Sequence, residues 1–249
     1  MENIRERIVS CAGRVWFCAK ELLKWLALAM ITGVPCGIIG AAFDLAVEHV
    51  TKLRTEHTAI LFLLPVIGLV IVALYKAAKL EGVSTDDMID CVKDGKPIRF
   101  WLLPVMFIST VLTHLGGGSA GREGAALQMG GTIGWWAGGV LHLNEHERRM
   151  AVQCGMAAFF SALFSTPLAA TFFAMTIVNV GVVFYAAYIP CFAAALIAYG
   201  ISLLIGVSPT RFAVDVPAFE PAMAVRVVLL ALACAVVVHL FCFVLHSAA

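Results

Sequence analysis

The sequence predicts an all-α integral membrane protein with broken and short helices, on three observations. First, 61% of its 249 residues are hydrophobic, only 13% are charged, and the mean hydropathy is +0.95. A soluble domain of this length carries about 45–50% apolar and about 25% charged residues, enough polar surface to cover its core; this chain has too little. Second, the apolar residues fall into runs long enough to cross a hydrocarbon layer of about 30 Å as helices. Third, two of those runs are separated by a glycine-rich break that carries an arginine and a glutamate.

Residues 1–24 are rich in charge and have no signal-peptide pattern, which fits a cytoplasmic amphipathic segment. Residues 25–249 then form the membrane domain. Its first run covers residues 25–47, where Gly33, Gly37 and Gly40 make a small face suited to close helix packing. Residues 58–75 form a second run, and residues 100–115 a shorter third that leads into the break. Residues 124–141 follow the break as another short helix. The stretch 150–180 is too long for one straight helix and contains Pro167 after Ser165 and Thr166. Proline is well tolerated in a first turn, so two helices are expected to meet there. Runs 182–206 and 222–246 complete the set.

Charge distribution sets the orientation. Lys and Arg number five before the first run (Arg5, Arg7, Arg14, Lys20, Lys24), two after it (Lys52, Arg54) and five after the second (Lys76, Lys79, Lys93, Lys96, Arg99). The positive-inside rule then places the N-terminus in the cytoplasm of a multi-pass plasma-membrane protein. The net charge of +1 makes no case for nucleic acid. The eight cysteines include no CxxC pair, and most sit in apolar runs as small hydrophobes. Asp86, Asp87, Asp90 and Asp94 lack EF-hand spacing and read as a solvated helix face, so no metal and no cofactor is expected. His114 and His239 stand alone in apolar runs and read as packed histidines; Asp44 receives no role. Trp101, Trp135 and Trp136, near run ends, read as interface anchors. No nucleophile–base pair appears in the runs, so the chain is not read as an enzyme.

The break spans residues 116–124. Irregular backbone at membrane depth persists only where protein covers it or where it lines a wet cavity. Arg122 and Glu123 stand just before a new helix, and a charge left at the bilayer centre costs about 2.5–3.5 kcal/mol. A helix N-terminus offers unpaired N–H groups and partial positive charge, and Gly121 and Gly124 let an ion approach that backbone. Physically this is an anion site with a carboxylate beside it. Ionised, Glu123 can occupy the positive helix end and exclude an anion; protonated or displaced, it vacates the position and can carry a proton. The alternative is that Glu123 only caps its helix and neutralises Arg122.

The series Gly117-Gly118-Ser119-Ala120-Gly121-Arg122-Glu123-Gly124-Ala125-Ala126-Leu127-Gln128 resembles the GxxGREGP-type signature of the chloride channel (CLC) family. Residues 33–52 look like that family's first long membrane helix. Residues 151–175, with Cys154-Gly155, Phe164 and Pro167-Leu168-Ala169, look like the two helices after the signature. The resemblance implies a CLC-like first repeat in which Glu123 is the gate and the backbone of Gly121, Arg122, Gly124 and Ala125 binds the anion. Three departures stand out. Ala125 replaces the usual proline. The family's internal proton-transfer glutamate falls near Thr176, which cannot titrate. The GSGIP loop has only a loose counterpart at Gly82-Val83-Ser84-Thr85, where Ser84 is either the anion-coordinating hydroxyl or a helix cap.

The second inverted repeat of the family, with its GxFxP helix and tyrosine, has no counterpart in these residues. The implied function is halide transport, chloride first and fluoride second, with proton coupling left open. The alternative is a transport-incompetent half-protein that serves as an assembly partner. The expected partners are the halide, protons, the lipid bilayer, and either a second copy or a polypeptide bearing the second half. The chain alone is expected to make an incomplete pathway.

Overall fold

The computed structural model describes residues 2–177, 185–208 and 221–248. Among these the chain is helical with no strand, as its composition predicts. It divides into two units, Met1–Thr210 and Arg211–Ala249. The first holds α1 (Glu2–Glu56), a 3-10 turn (Thr58–Leu63), α2 (Leu64–Ala77), α3 (Thr85–Asp94), α4 (Leu102–Leu115), α5 (Glu123–Val140), α6 (Glu145–Phe164), α7 (Pro167–Thr176), a second 3-10 turn (Tyr185–Ala187) and α8 (Tyr188–Ile205). The second holds α9 (Pro221–Ala248), a 28-residue apolar helix that buries none of its span within its own unit. Among the described residues four helical stretches are long and apolar enough to cross a membrane: Lys20–Glu56, Thr58–Ala77, Tyr188–Ile205 and Met223–Ser247.

Helix α1 is one continuous 55-residue helix that crosses residue 24 without a break and outlasts the apolar run at both ends. Hydropathy marks where lipid begins and ends, and helical hydrogen bonding ignores that boundary. The same holds for α6, which starts at Glu145 and not at residue 150. Asn144 accepts from the Glu147 amide at 2.9 Å and the Glu147 carboxylate accepts from the Asn144 amide at 3.3 Å, a reciprocal cap that nucleates the charged first turn. Helices α6 and α7 meet where expected, with Ser165 left-handed at φ 56° and Pro167 opening the new helix. The run ends read at residues 180 and 182 lie outside the described residues, as do the side chains of Cys11 and Cys18.

In lipid, apolar area does not drive helices together, so close packing and polar satisfaction must. The glycines supply the first. A Cβ on Gly33 would stand 2.8 Å from the Ala194 carbonyl oxygen, and one on Gly37 2.8 Å from Ile201 Cβ, so the small face of α1 seats α8. Gly130 and Gly155 put the backbones of α5 and α6 in direct contact, and Gly134 rests on the Ala151 carbonyl. Phe43 is fully buried, its ring 5.4 Å from Phe107 and 6.3 Å from Phe159, which ties α1 to α4 and α6. Lys24 pairs with Glu147 and joins α1 to the capped start of α6. Trp135 departs from its reading as an interface anchor. It is buried, with the Arg148 guanidinium 3.7 Å above its ring and donating to its carbonyl at 3.0 Å. Trp101 and Trp136 are exposed.

The candidate anion site at the start of α5

Helix α4 ends at Leu115, and seven residues pass before α5 begins at Glu123. Gly117 is required in this turn, because its φ of 78° disfavours a side chain and a Cβ there would strike Leu61. The first intrahelical bond of α5 runs from the Ala126 amide to the Arg122 carbonyl at 2.9 Å, and no side chain caps the helix. The amides of Glu123, Gly124 and Ala125 are therefore left without an intrahelical acceptor, with the positive end of an 18-residue helix behind them. Ala125 is buried and Glu123 is exposed.

The two charges of the break do not pair with each other. Arg122 Nη1 donates to Asp44 Oδ1 at 2.6 Å, across from α1. This corrects two readings: Asp44 has a partner and a place at the site, and Glu123 is neither the counter-ion of Arg122 nor a cap of α5. Among the described residues the Glu123 carboxylate has no hydrogen bond or ion pair. Its Oε2 lies 2.5 Å from where a Cβ on Gly121 would stand, so the absence of a side chain at Gly121 makes room for the carboxylate.

A second helix start meets this one. Ser84 caps α3, its Oγ accepting from the Asp86 amide at 3.1 Å while its own amide donates to Asp87 Oδ2 at 2.7 Å. The capping alternative for Ser84 is thus the geometry observed. It is the next hydroxyl, Thr85 Oγ1, that approaches α5: it lies 3.2 Å from the Cβ position of Gly124 and accepts from Gln128 Nε2 at 3.3 Å. Gln128 is buried, and its Oε1 has no partner. The start of α5 thus presents three amides without an intrahelical acceptor, with the Thr85 hydroxyl beside Gly124 and a partnerless carboxylate over Gly121, groups of the kind that donate to a small anion.

A cavity of about 550 Å³ is lined by Asp44, Glu48, Lys52, His114 and Arg122 among others. His114 Nδ1 donates to the Thr110 carbonyl at 2.8 Å, in keeping with a packed histidine. At the end of α7, Thr176 Oγ1 donates to the Phe172 carbonyl at 2.9 Å. Cys36, Cys91, Cys154 and Cys191 are buried thiols. Among the described residues no three His, Cys, Asp or Glu side chains are grouped to hold a metal.

Sequence reasoning named Asp44, Thr85 and Gln128 but gave none of them a place at the start of α5. Asp44 carried a legible signal, a lone carboxylate in a long apolar run, but its partner is 78 residues away. Thr85 and Gln128 carried none, since each is ordinary for its helix.

Residues 67–249 match the family model described as voltage gated chloride channel. The chain is 34% identical over 197 residues to the Chloride/fluoride channel protein of Pseudomonas syringae pv. tomato, an alignment covering 78% of this chain and 43% of that one. It is 34% identical over 171 residues to the H(+)/Cl(-) exchange transporter ClcA of Cronobacter sakazakii, covering 62% and 36%. A solved CLC-type fluoride/proton antiporter superposes with a TM-score of 0.71 at 31% identity, over 80% of this chain and 52% of that one. A slow cyanobacterial Cl−/H+ antiporter, at TM-score 0.61 and 22% identity, shares the fold. The chain spans about half the length of these relatives, or less.

Proposed function

Because the chain belongs to the voltage gated chloride channel family and is a multi-pass membrane protein, we propose that it supplies the first half of a halide pathway in which Glu123 is the gate. The observation that carries this reading is the pair of helix starts: the unpaired amides of α5 beside the Thr85 hydroxyl, with a partnerless carboxylate at their mouth. An anion at this end is held by N–H and O–H donors in place of its hydration shell. The ionised carboxylate competes for those donors; the protonated one does not. Chloride is the first substrate and protons reach the site on Glu123 itself. The N-terminus lies in the cytoplasm of a plasma-membrane protein, and the pathway is completed by a segment carrying the second half, since a second copy in the same orientation cannot supply an inverted repeat.

Fluoride is the second reading. Two of the relatives carry fluoride in their names, at 34% and 31% identity. Liposomes holding the transporting assembly, assayed with chloride- and fluoride-selective electrodes, decide between the two ions. Release of chloride at least as fast as fluoride is expected. Strong preference for fluoride selects the second reading.

The hydroxyls at α3 separate by mutation. Thr85→Val removes the donor beside Gly124 and is expected to lower halide affinity several-fold, equivalent to losing a hydrogen bond of about 1 kcal/mol. Ser84→Gly keeps a residue accepted at the cap, costs a few tenths of a kcal/mol, and leaves affinity unchanged. Halide concentration dependence of efflux measures both. The reverse pattern would return the anion-binding role to Ser84.

A further inference from the structure

Arg122 immediately precedes Glu123, so in a free helix end its nearest counter-ion is that carboxylate. The fold arranges otherwise. Arg122 Nη1 is held by Asp44 Oδ1 at 2.6 Å, and the Asp44 side chain is itself largely covered, 18% exposed. Phe43, the residue before it, is fully buried with its ring against Phe107 and Phe159. Other charged groups stand on the elements packed around the break. On α3, whose start meets α5, Asp87 is engaged by the Ser84 amide at 2.7 Å, with Asp86 beside it in the same turn. On α1, Lys52 pairs with Glu48 at 2.6 Å, and Arg54 lies against Gly117 at the opposite end of the break. On α4, His114 donates to a carbonyl of its own helix. Glu123 meanwhile lies over Gly121 with no partner among the described residues.

We infer that Asp44 is a positioning residue for the gate: by engaging Arg122 it withholds the guanidinium from Glu123 and so sets the pH at which that carboxylate leaves the anion site. The inference rests on Glu123 being the gate. A cation within a few ångströms of a carboxylate favours its ionised form, and Asp44 is what keeps the adjacent cation turned away. When the Asp44 charge is lost, Arg122 is free to pair with Glu123, and a more acidic solution is needed to protonate the gate. This role is separable from simple structural support, since lost support lowers flux at every pH alike.

The test is halide efflux from liposomes across about pH 4 to 8, the range around carboxylate titration, using the assembly that transports in the unmodified case. Asp44→Asn is expected to move the midpoint about one unit toward acid. Asp44→Glu, which keeps the ion pair, is expected to restore it. On an Arg122→Gln background, Asp44→Asn is expected to add no shift, because there is no guanidinium left to release. Should Asp44→Asn fail to fold, Arg122→Lys serves instead: it keeps the charge but loses the planar fork that holds it on Asp44, and the midpoint is expected to move the same way. A midpoint equal to the unmodified protein in D44N, or in R122K where D44N does not fold, overturns the inference, provided Glu123→Gln has flattened the profile. Persistence of the full profile in Glu123→Gln instead overturns the gate reading beneath it.

Discussion

Liposomes carrying the Glu123→Gln protein are expected to release halide at a rate that does not change with pH, and at neutral pH faster than the unmodified protein by tenfold or more. A gate that opens on protonation of one group leaves an open fraction that falls about tenfold per pH unit above its midpoint, as for any single-proton equilibrium. Gln has the shape of the protonated acid and no charge to lose, so it holds the open condition throughout. The substitution should not disturb the fold, because Glu123 is exposed and its carboxylate has no partner among the described residues; exposed changes of this kind stay within about 0.5 kcal/mol. Efflux followed at several fixed pH values measures the effect. A profile as steep in the mutant as in the unmodified protein would remove Glu123 from the gating role.

The largest effect on folding is expected at Gly155. A Cβ there would meet the Gly130 carbonyl oxygen and stand 2.8 Å from the Gly134 amide nitrogen. These are backbone atoms of a neighbouring helix, which cannot swing aside as a side chain can. Overpacking of this kind costs about 1–3 kcal/mol and occasionally more, and here even alanine overpacks. Gly155→Val is expected to abolish a monodisperse peak in detergent, and Gly155→Ala to lower the thermal midpoint by several degrees. Gly200 is the control: it is also helical, and a Cβ there meets nothing within 4 Å. Gly200→Ala is expected to be neutral or stabilising by up to about 1 kcal/mol, the helix-propensity difference. Size exclusion after graded heating reads all three. Equal tolerance at Gly155 and Gly200 would mean that α5 and α6 do not approach as described.

What the sequence disclosed, and what it hid, follows from the range of each interaction. Helix existence is a local property, and the apolar runs whose residues are described are helical, although the run read as 58–75 divides into a 3-10 turn (Thr58–Leu63) and α2. The break was legible because glycine and charge are both out of place in such a run. Helix ends were read too short wherever a charged turn continued the helix, as at residues 145–149, although Asn144 and Glu147 spell a capping box that a search by residue type would have found. Trp135 was misread because aromatic position near a run end says nothing of the Arg148 that covers it. The Arg122–Asp44 pair required the packing of α1 against the break, and no local pattern encodes it.

The contact between α5 and α6 bears on how fast a gate at this place can work. The first turn of α5 carries the site, while its middle is pressed against α6 at Gly130 and Gly134 with no side chain to yield. Displacing such a helix to admit an ion would disrupt the whole interface, and motions of that class take microseconds to milliseconds. The soft coordinate that remains is rotation of one carboxylate over the bare Cα of Gly121. Exposed rotamers interconvert in picoseconds to nanoseconds. On the proposed reading, the fold pairs nearly immobile donors with a fast occluding group, which would set the gate's own clock well ahead of its scaffold's.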